Sequence, residues 1–303
     1  MGEGEFQEAH ILPYLALTAM SLLFGLSFVA TKFALKSIPP FTLIFLRFFL
    51  ALLFLGIIYF RKGRTPLLSG DRWRLFLVSL IVPGLYFLAE TYGLKLSSAT
   101  SVSLLISTIP IFAAIFAFLL MGEKLGIWRA VGIFLSIGGV GVIVAAGGHG
   151  VEVERMIQAG NLLGLGAALC AGLYMAMGRD LMARYSPLTI TTFQALFTVA
   201  LFLPLAGWEQ WDHHWDKIQP LTLLAVLYLA LFCSVLAFFL WNYGISRLEA
   251  SKAAVFTNLV PVFTVVGAYG FLGERIQPDQ IIGGALVIAG VSLASATRSK
   301  NSA

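Results

Sequence analysis

The chain has 303 residues, of which 59% are hydrophobic and 12% are charged, with a formal net charge of +5. Soluble globular domains carry about 45–50% apolar and about 25% charged residues, so this composition leaves too few charges to cover a folded surface in water. It excludes a soluble enzyme and a soluble nucleic-acid-binding protein, and the mean hydropathy of +0.89 indicates a membrane protein.

Ten apolar runs follow one another along the chain, and each is close to the roughly 20 residues that a helix needs to cross a bilayer. The runs cover residues 12–34, 41–60, 74–93, 98–121, 127–146, 160–181, 188–207, 220–244, 252–272 and 280–297. The longest connections, near 147–160 and 207–219, are too short to fold as a separate domain. We therefore expect an all-α membrane protein with ten transmembrane helices.

The first run is expected to remain in the protein as a membrane helix. The segment before it carries Glu3, Glu5 and Glu8 and no Lys or Arg, whereas a secretory signal peptide begins with basic residues. The two cysteines, Cys170 and Cys233, fall inside apolar runs. There we expect small buried hydrophobic side chains rather than a disulfide.

The basic residues between the runs are distributed unequally over the two sides of the membrane. Thirteen Lys and Arg lie on the side that holds both chain ends, and six lie on the opposite side. Cytoplasmic loops are enriched in Lys and Arg, so this bias predicts that both termini are cytoplasmic. The remaining basic residue, Arg47, lies within the second run.

The second half of the chain repeats the first half with glycines and prolines in register. An offset of 151 residues relates Tyr92-Gly93 to Tyr243-Gly244, Pro110 to Pro261, Gly122-Glu123 to Gly273-Glu274, and Gly139-Val140 to Gly290-Val291. Nearer the start of each half, an offset of 147 relates Gly25 to Gly172 and Pro40 to Pro187. Apolar helices would share hydrophobicity but not this register, so an internal duplication is indicated.

Each half contains five runs, and an odd number reverses the direction in which the second half enters the membrane. We therefore expect two inverted five-helix repeats, at residues 12–146 and 160–297. Inverted repeats about an axis in the membrane plane are the build of many secondary transporters, which hold the substrate near the midplane between the copies. A duplication retained because it folds well is the alternative.

The order and spacing of short motifs resemble those of a known transporter family. The motifs are Phe24-Gly25-Leu26-Ser27-Phe28, Leu46-Arg47-Phe48, Tyr92-Gly93-Leu94, Ser97-Ser98-Ala99-Thr100, Pro110 and Gly122-Glu123, with their counterparts in the second half. Over nearly its whole length the chain resembles the drug/metabolite transporter superfamily, specifically the ten-span group with two EamA domains. Within this group it is similar to bacterial exporters of aromatic and other neutral amino acids, which implies export across a bacterial inner membrane. Phe24 departs from the Trp that is usual at that position.

Polar side chains inside the apolar runs fall on helical stripes, which predicts that they face a shared cavity. The candidate substrate-binding residues are Ser27, Tyr86, Glu90, Ser103, Ser107, Tyr174, Trp241 and Asn258. For each serine the alternative is a bond to its own helix or to a neighbouring helix. A purely structural role is equally open for Tyr86 and Trp241, and Pro110 and Pro261 are expected to act as kinks.

Arg47 and Glu90 are charged residues inside the runs. A charge near the centre of a membrane helix costs about 2.5–3.5 kcal/mol on insertion scales, so such residues are functional hypotheses by default. Glu90 is a candidate contact for a substrate amine or a candidate proton carrier, and a structural Arg47–Glu90 ion pair is the alternative. Gly122-Glu123 and Gly273-Glu274, at the ends of runs, are interpreted as turn signals.

The small number of cations inside the runs limits the substrate. Phosphorylated sugars and nucleotides need several Lys or Arg, so we expect a small amphipathic solute, and a neutral or aromatic amino acid moved by alternating access fits best. Export of other drugs or metabolites is the alternative. An intramembrane lipid-modifying enzyme is the alternative from another class, although the sequence shows no clustered acid, base or metal set. Proton coupling and facilitated diffusion both stay open.

The connection at 208–215 combines three Trp with the adjacent His213 and His214. Two adjacent histidines cannot share one face of a helix, and Trp residues near the end of a span are typical of an interfacial aromatic belt. We therefore expect no metal and no cofactor. The expected partners are a small-molecule substrate and membrane lipid, with no nucleic acid, and the expected state is a monomer.

Overall fold

The computed structural model describes residues 3–61, 68–122, 126–145, 151–178, 181, 184–209, 219–247 and 256–296. Its regular structure in these ranges is helical, which confirms the all-α class. The helices are α1 (Glu3–Ala34), α2 (Pro40–Arg61), α3 (Ser69–Ser79, Leu80–Leu85 and Tyr86–Leu96), α4 (Ala99–Ile106 and Ile109–Met121), α5 (Ile127–Ala145), α6 (Val151–Met177), α7 (Pro187–Glu209), α8 (Pro220–Leu227, Tyr228–Leu236 and Ala237–Arg247), α9 (Leu259–Gly267 and Ala268–Leu272) and α10 (Pro278–Ala296).

Helices α1 to α8 are each long and apolar enough to cross a membrane, and α9 and α10 are apolar but shorter in the described ranges. Large apolar side chains such as Phe134 and Val266 are mostly exposed at the surface of the bundle. Such a surface suits contact with lipid tails rather than with water. Cys170 and Cys233 are both free thiols, as the sequence predicts, but only Cys233 is buried and Cys170 is partly exposed.

Helix α6 begins nine residues before the apolar run that predicted it. Residues 147–160 were expected to form a connection, whereas the helix starts at Val151. Glu152 and Glu154 lie in its first turn, where carboxylates interact favourably with the positive end of the helix dipole. Hydropathy does not detect this part of the helix because it is polar.

Helices α4 and α9 are interrupted at equivalent positions. Helix α4 breaks at Ser107 and Thr108, directly before Pro110 near the start of its second segment. Residues 256 and 257 are helical, the chain turns at Asn258, and α9 then begins at Leu259 with Pro261 in its first turn. Proline has no N–H to donate and is tolerated in the first turn of a helix, so each proline lies where a helical segment restarts.

The fourth helix of each repeat ends in the same left-handed glycine. Gly122 has φ 67° and ψ 19°, and Gly273 has φ 68° and ψ 20°. Glycine adopts this conformation without the steric penalty that a Cβ atom brings. Both glycines therefore end a helix, as the sequence motif predicts, while Glu123 lies outside the described residues.

Helices α5 and α10 pack antiparallel through glycines that occupy equivalent positions in the two repeats. A Cβ atom added at Gly132 would lie 2.5 Å from the carbonyl oxygen of Gly290, and one added at Gly139 would lie 2.5 Å from that of Gly283. Gly283 and Gly290 are the counterparts of Gly132 and Gly139, so exchanging the two halves converts one contact into the other. Corresponding helices therefore run in opposite directions, as an inverted repeat requires.

The same exchange relates the packing of α1 on α9 to the packing of α6 on α4. A Cβ atom added at Gly25 would lie 2.6 Å from Cβ of Phe263, and one added at Gly172 would lie 2.4 Å from Cβ of Phe112. Gly172 and Phe112 are the counterparts of Gly25 and Phe263 in the other half. Each repeat therefore packs a helix against the partner repeat, and the region between them is built from both.

Candidate functional site

Two oppositely charged side chains are buried in the region of α2, α3 and α8. Arg47 of α2 is 6% exposed and Glu90 of α3 is 4% exposed. Nε of Arg47 donates a hydrogen bond of 2.9 Å to Oγ of Ser234 in α8, and Cζ of Arg47 lies 4.5 Å from the centre of the Phe87 ring. We call Arg47, Glu90 and Ser234 the central polar cluster.

One oxygen of the Glu90 carboxyl has no hydrogen-bond partner among the residues that the structure describes. Within the described part of the chain, Oε2 of Glu90 is a buried polar side-chain atom without a hydrogen bond. Its electrostatic neighbours are Arg47 and the hydroxyl of Tyr86, which lies one turn earlier in α3. Nearly all buried polar groups are hydrogen-bonded, because leaving one unsatisfied is costly. The carboxyl of Glu90 therefore keeps one acceptor position that the described residues leave open.

The middle of α8 winds as a π-helix over Tyr228–Leu236. Within it, Oγ of Ser234 donates to the carbonyl of Leu229, five residues earlier, at 3.0 Å. The hydroxyl of Tyr228 donates a hydrogen bond of 2.8 Å to the carbonyl of Leu23 in α1. Short π segments frequently occur at functional sites, and this one carries Ser234 to Arg47 and joins α8 to α1.

Helix α3 is broken at Val82, which has the extended backbone angles φ −136° and ψ 119° before Pro83. A carbonyl released from a helix inside a membrane needs another donor. Nε2 of Gln194 in α7 supplies it, donating to the carbonyl of Val82 at 3.1 Å and to the hydroxyl of Tyr174 at 3.1 Å. Gln194 thereby connects Tyr174, a predicted site residue, to the segment that leads into Tyr86.

The three predicted serines use their hydroxyl protons within their own helices. Oγ of Ser27 donates to the carbonyl of Phe24 at 2.7 Å, and the hydroxyls of Ser103 and Ser107 bond in the same way, three residues back, at 2.9 and 2.6 Å. Each hydroxyl oxygen keeps acceptor capacity. These bonds are the helix-internal alternative that the sequence left open, and they do not link the serines to the central polar cluster.

The other predicted residues fall in different surroundings. Tyr86 lies edge-on to Phe87 at 4.9 Å and packs against the apolar core that contains Phe28, so it adjoins Glu90. Trp241 is half-buried beside a core of α1 and α8 residues. Asn258 donates from Nδ2 to Oγ of Ser292 in α10 at 3.0 Å, which engages its amide outside the central polar cluster.

Glu274 joins the second repeat to the first at the end of the bundle where Lys32 lies. Its Oε1 accepts a hydrogen bond of 2.9 Å from the backbone N–H of Ala99, and its Oε2 accepts one of 3.2 Å from Oγ1 of Thr100. Nζ of Lys32 lies 3.9 Å from the same carboxylate. The first N–H groups of a helix have no partner within it, so the carboxylate caps α4. We call Lys32, Ala99, Thr100 and Glu274 the Lys32-side latch.

Sequence reasoning missed three of these roles. It interpreted Glu274 as part of a turn signal, and it named neither Gln194 nor Ser234 as a site residue. A lone Gln inside an apolar run was the available signal for Gln194, since an amide in a membrane helix needs a partner. The helix that Glu274 caps lies more than 170 residues away in the chain, and no local pattern indicates it.

A shallow groove between α2, α7 and α8 is lined in part by Ser234, the partner of Arg47. The remaining wall is mainly apolar and aromatic, and includes Leu55, Leu188, Val235, Phe238 and Phe239. The groove therefore places apolar surface directly beside one member of the central polar cluster. We call it the Ser234 groove.

No group of three or more His, Cys, Asp or Glu side chains in the described ranges is arranged to hold a metal ion. The segment that contains His213 and His214 lies outside those ranges. The polar chemistry available at the centre of the described bundle consists of a guanidinium, a carboxyl, hydroxyls and an amide. Such groups bind a solute by hydrogen bonds and charge.

Comparison with known proteins identifies the family of the chain. The sequence model of the EamA-like transporter family matches residues 11–145 and 158–296. A Bacillus subtilis protein named uncharacterized transporter YetK is 32% identical over 280 residues, covering 92% of this chain and 85% of that protein. An uncharacterized transporter of Archaeoglobus fulgidus is 30% identical, covering 93% and 97%.

A relative with a named cargo and a solved structure extend the comparison. A Streptantibioticus cattleyicolor protein named as a probable terminal-alkyne amino-acid exporter is 31% identical over 195 residues, covering 64% of this chain and 63% of that protein. A solved crystal structure superposes with a TM-score of 0.64 at 21% identity, covering 93% of this chain and 96% of that one, so the two share a fold. With both halves matched by the family, this chain belongs to the EamA-like transporter family and is a multi-pass membrane transporter.

Proposed function

We propose that this transporter exports neutral and aromatic amino acids across a bacterial inner membrane by alternating access. The two repeats, residues 12–146 and 160–297, are the units that rearrange about the shared centre. Because inverted copies of one unit offer two equivalent packings, the inward-open and outward-open states have similar free energies, and a modest bias exchanges them. The protein acts as a monomer in lipid, needs no cofactor and releases its solute unchanged.

The central polar cluster is the observation that carries the choice of solute. Three charged side chains are buried among the described residues, namely Arg47, Asp71 and Glu90. Asp71 is engaged by the hydroxyl of Tyr185 at 2.8 Å and lies 3.4 Å from Arg184. That leaves one buried cation and one buried carboxyl, Arg47 and Glu90, among the described residues. A zwitterion with an apolar side chain matches this balance, whereas a phosphorylated solute requires several cations.

Two further observations support amino acids as the transported solutes. The relative with a named cargo is an amino-acid exporter by its name, and the remaining predicted site residues supply aromatic rings and hydroxyl oxygens. Tyr86, Tyr174 and Trp241 are the rings on which an aromatic side chain would stack, since offset or edge-on ring pairs are favourable by about 0.5–1.5 kcal/mol. Ser27, Ser103, Ser107 and Asn258 complete the proposed substrate-binding set.

Flux through purified protein in liposomes tests the proposal. Liposomes loaded with unlabelled phenylalanine should accumulate radiolabelled phenylalanine by saturable exchange, and a panel of neutral, acidic and basic amino acids should compete in that order. The assay is run with and without an imposed pH gradient to decide between proton coupling and facilitated diffusion. Saturable flux of other metabolites without any amino-acid flux, or chemical conversion of lipid, would contradict the proposal.

Variants of the predicted rings test where the solute binds. Ser79 is a buried hydroxyl residue of α3, two turns before Tyr86. Trp241→Ala and Tyr86→Ala should each lower the flux of aromatic amino acids more than Ser79→Ala does, because a lost ring contact is larger than a lost hydroxyl. Expression and melting temperature of the three variants provide the control for folding. Equal flux through all three would remove these rings from the binding site.

A further inference from the structure

We propose that Glu90 and Arg47 form a two-point binding site, in which Oε2 of Glu90 accepts from the ammonium group of a zwitterionic amino acid and Arg47 binds its carboxylate. The inference rests on the proposed function and deepens it by stating which charged group of the chain recognises which group of the solute. Glu90 was a candidate amine contact on sequence grounds, and no partner for the carboxylate was identified there.

The carboxyl of Glu90 differs from the structural carboxylates of the same chain. At Glu274 one oxygen accepts from the N–H of Ala99 and the other accepts from the hydroxyl of Thr100. At Glu209 one oxygen accepts from the N–H of Phe41 and the other from the N–H and hydroxyl of Thr42. Both carboxylates use both oxygens to cap a helix. Glu90 is more deeply buried than either, and its Oε2 has no partner among the described residues.

The ligand that completes Glu90 is a donor that carries positive charge. A buried carboxyl oxygen gains most from a charge-assisted hydrogen bond, which is roughly twice as strong as a neutral one. A primary ammonium group supplies three such donors. It also compensates the negative charge of Glu90 when the Arg47 guanidinium binds the carboxylate of the solute.

Arg47 is held in place by a hydrogen bond through Nε and by an aromatic ring. Its Nε is engaged by Oγ of Ser234 at 2.9 Å, and its planar group lies over the Phe87 ring, with Cζ 4.5 Å from the ring centre. Phe87 precedes Glu90 by three residues, so both lie on the same side of α3. A guanidinium fixed through Nε presents its two terminal nitrogens as a fork, the geometry that binds a carboxylate with two parallel hydrogen bonds.

The Ser234 groove supplies the third part of the site. Ser234 lines the groove and also bonds to Arg47, so the groove and the central polar cluster share this residue. Phe238 and Phe239 give this surface an aromatic character. In the proposed site the side chain of the bound amino acid extends towards this groove, whose apolar and aromatic lining favours neutral solutes over those with a third charge.

A panel of three ligands separates the two halves of the site. Phenylalanine carries both groups, 3-phenylpropionate lacks the amine, and phenylalanine amide lacks the carboxylate. Each is tested for inhibition of radiolabelled phenylalanine exchange and for thermal stabilisation of the purified protein. Losing one hydrogen bond to a charged group lowers binding affinity by about tenfold or more. Phenylalanine should therefore bind to the unmodified protein at least about tenfold more tightly than either analogue.

Variants assign each ligand group to its residue. Glu90→Gln should weaken the binding of phenylalanine about tenfold and should not weaken the binding of 3-phenylpropionate, because that ligand has no ammonium group. Arg47→Lys should weaken the binding of phenylalanine and leave the binding of phenylalanine amide unchanged, since lysine keeps the positive charge but lacks the two terminal nitrogens that bind a carboxylate. Glu152→Gln makes the same change at an exposed carboxylate in the first turn of α6 and should behave like the unmodified protein. Melting temperatures within a few degrees of the unmodified protein establish that each variant folds.

Three outcomes overturn the two-point site. If Glu90→Gln keeps the full preference for phenylalanine over 3-phenylpropionate, the ammonium binds elsewhere, while amino-acid export stands. If the variant loses only its response to a pH gradient, Glu90 binds a proton instead of the solute amine. If the unmodified protein exchanges no amino acid and is stabilised by none, the proposed function fails together with this site.

Discussion

Gly138 and Gly139 are neighbours in α5 that face different surroundings. An added Cβ atom at Gly138 would meet nothing within 4 Å, whereas one at Gly139 would lie 2.5 Å from the carbonyl oxygen of Gly283 and 2.8 Å from the backbone nitrogen of Val287 in α10. Both atoms belong to the backbone and cannot move by a change of rotamer. Gly138→Ala and Gly139→Ala therefore form a matched pair that tests the contact between the repeats.

The expected difference follows from two opposing effects. Alanine is about 0.8–1.0 kcal/mol more favourable than glycine inside a helix, and both variants gain this amount. Only the alanine at residue 139 forces α5 and α10 apart, and overpacking of this kind costs about 1–3 kcal/mol. We expect the free energy of unfolding of Gly139→Ala to be about 1–3 kcal/mol lower than that of Gly138→Ala. The helix-propensity term cancels in this comparison.

The measurement is unfolding of the purified protein in mild detergent by titration with a denaturing detergent, followed by circular dichroism. Gly290→Ala provides the internal check, because Gly290 is the counterpart of Gly139 and an added Cβ there would lie 2.5 Å from the carbonyl oxygen of Gly132. It should lose stability to a similar extent. Equal stability of Gly138→Ala and Gly139→Ala would refute the close glycine packing of α5 on α10.

Two further predictions concern the latch and the orientation. Glu274→Gln removes the charge that caps α4 and faces Lys32. It should lower the free energy of unfolding by about 0.5–2 kcal/mol, the usual range for a lost helix cap. An unchanged melting temperature would show that the Lys32-side latch is not stabilising. Gly126 and Gln277 are exposed counterparts in the two repeats, and single cysteines at these positions in a background without Cys170 and Cys233 should react with an impermeant reagent from opposite sides. We expect Gly126→Cys to react from the cytoplasm, and reaction of both from one side would contradict the inverted arrangement.

The helices and their duplication could be predicted because their causes are local and repeated. Backbone groups in a bilayer must bond within their own segment, so long apolar runs predict helices. The recurrence of Gly122 as Gly273 predicted one helix end in each half, and both glycines have the same left-handed conformation. The polar first turn of α6 escaped prediction because hydropathy carries no signal for a helix end outside the lipid.

The candidate site was predictable in part. The cost of a charge in a membrane drew attention to Arg47 and Glu90, and the sequence placed Tyr86 next to Glu90 on one face of α3. The serines were predicted as site residues by the same face argument, yet the hydroxyls of Ser103 and Ser107 donate to their own helices. Periodicity indicates which face a side chain occupies, and it carries no information on the acceptor nearest to a hydroxyl.

The amino-acid sequence alone determined the class, the number of apolar runs and the inverted duplication, because hydrophobic length and repeated residues act along the chain. The tertiary structure decided which partners meet. Ser234 reaches Arg47 across 187 positions of the chain, and Glu274 caps a helix that begins 175 positions earlier. Such contacts depend on how each helix is rotated and shifted against its neighbours, and a few ångströms of displacement separate a bonded carboxylate from an unpartnered one.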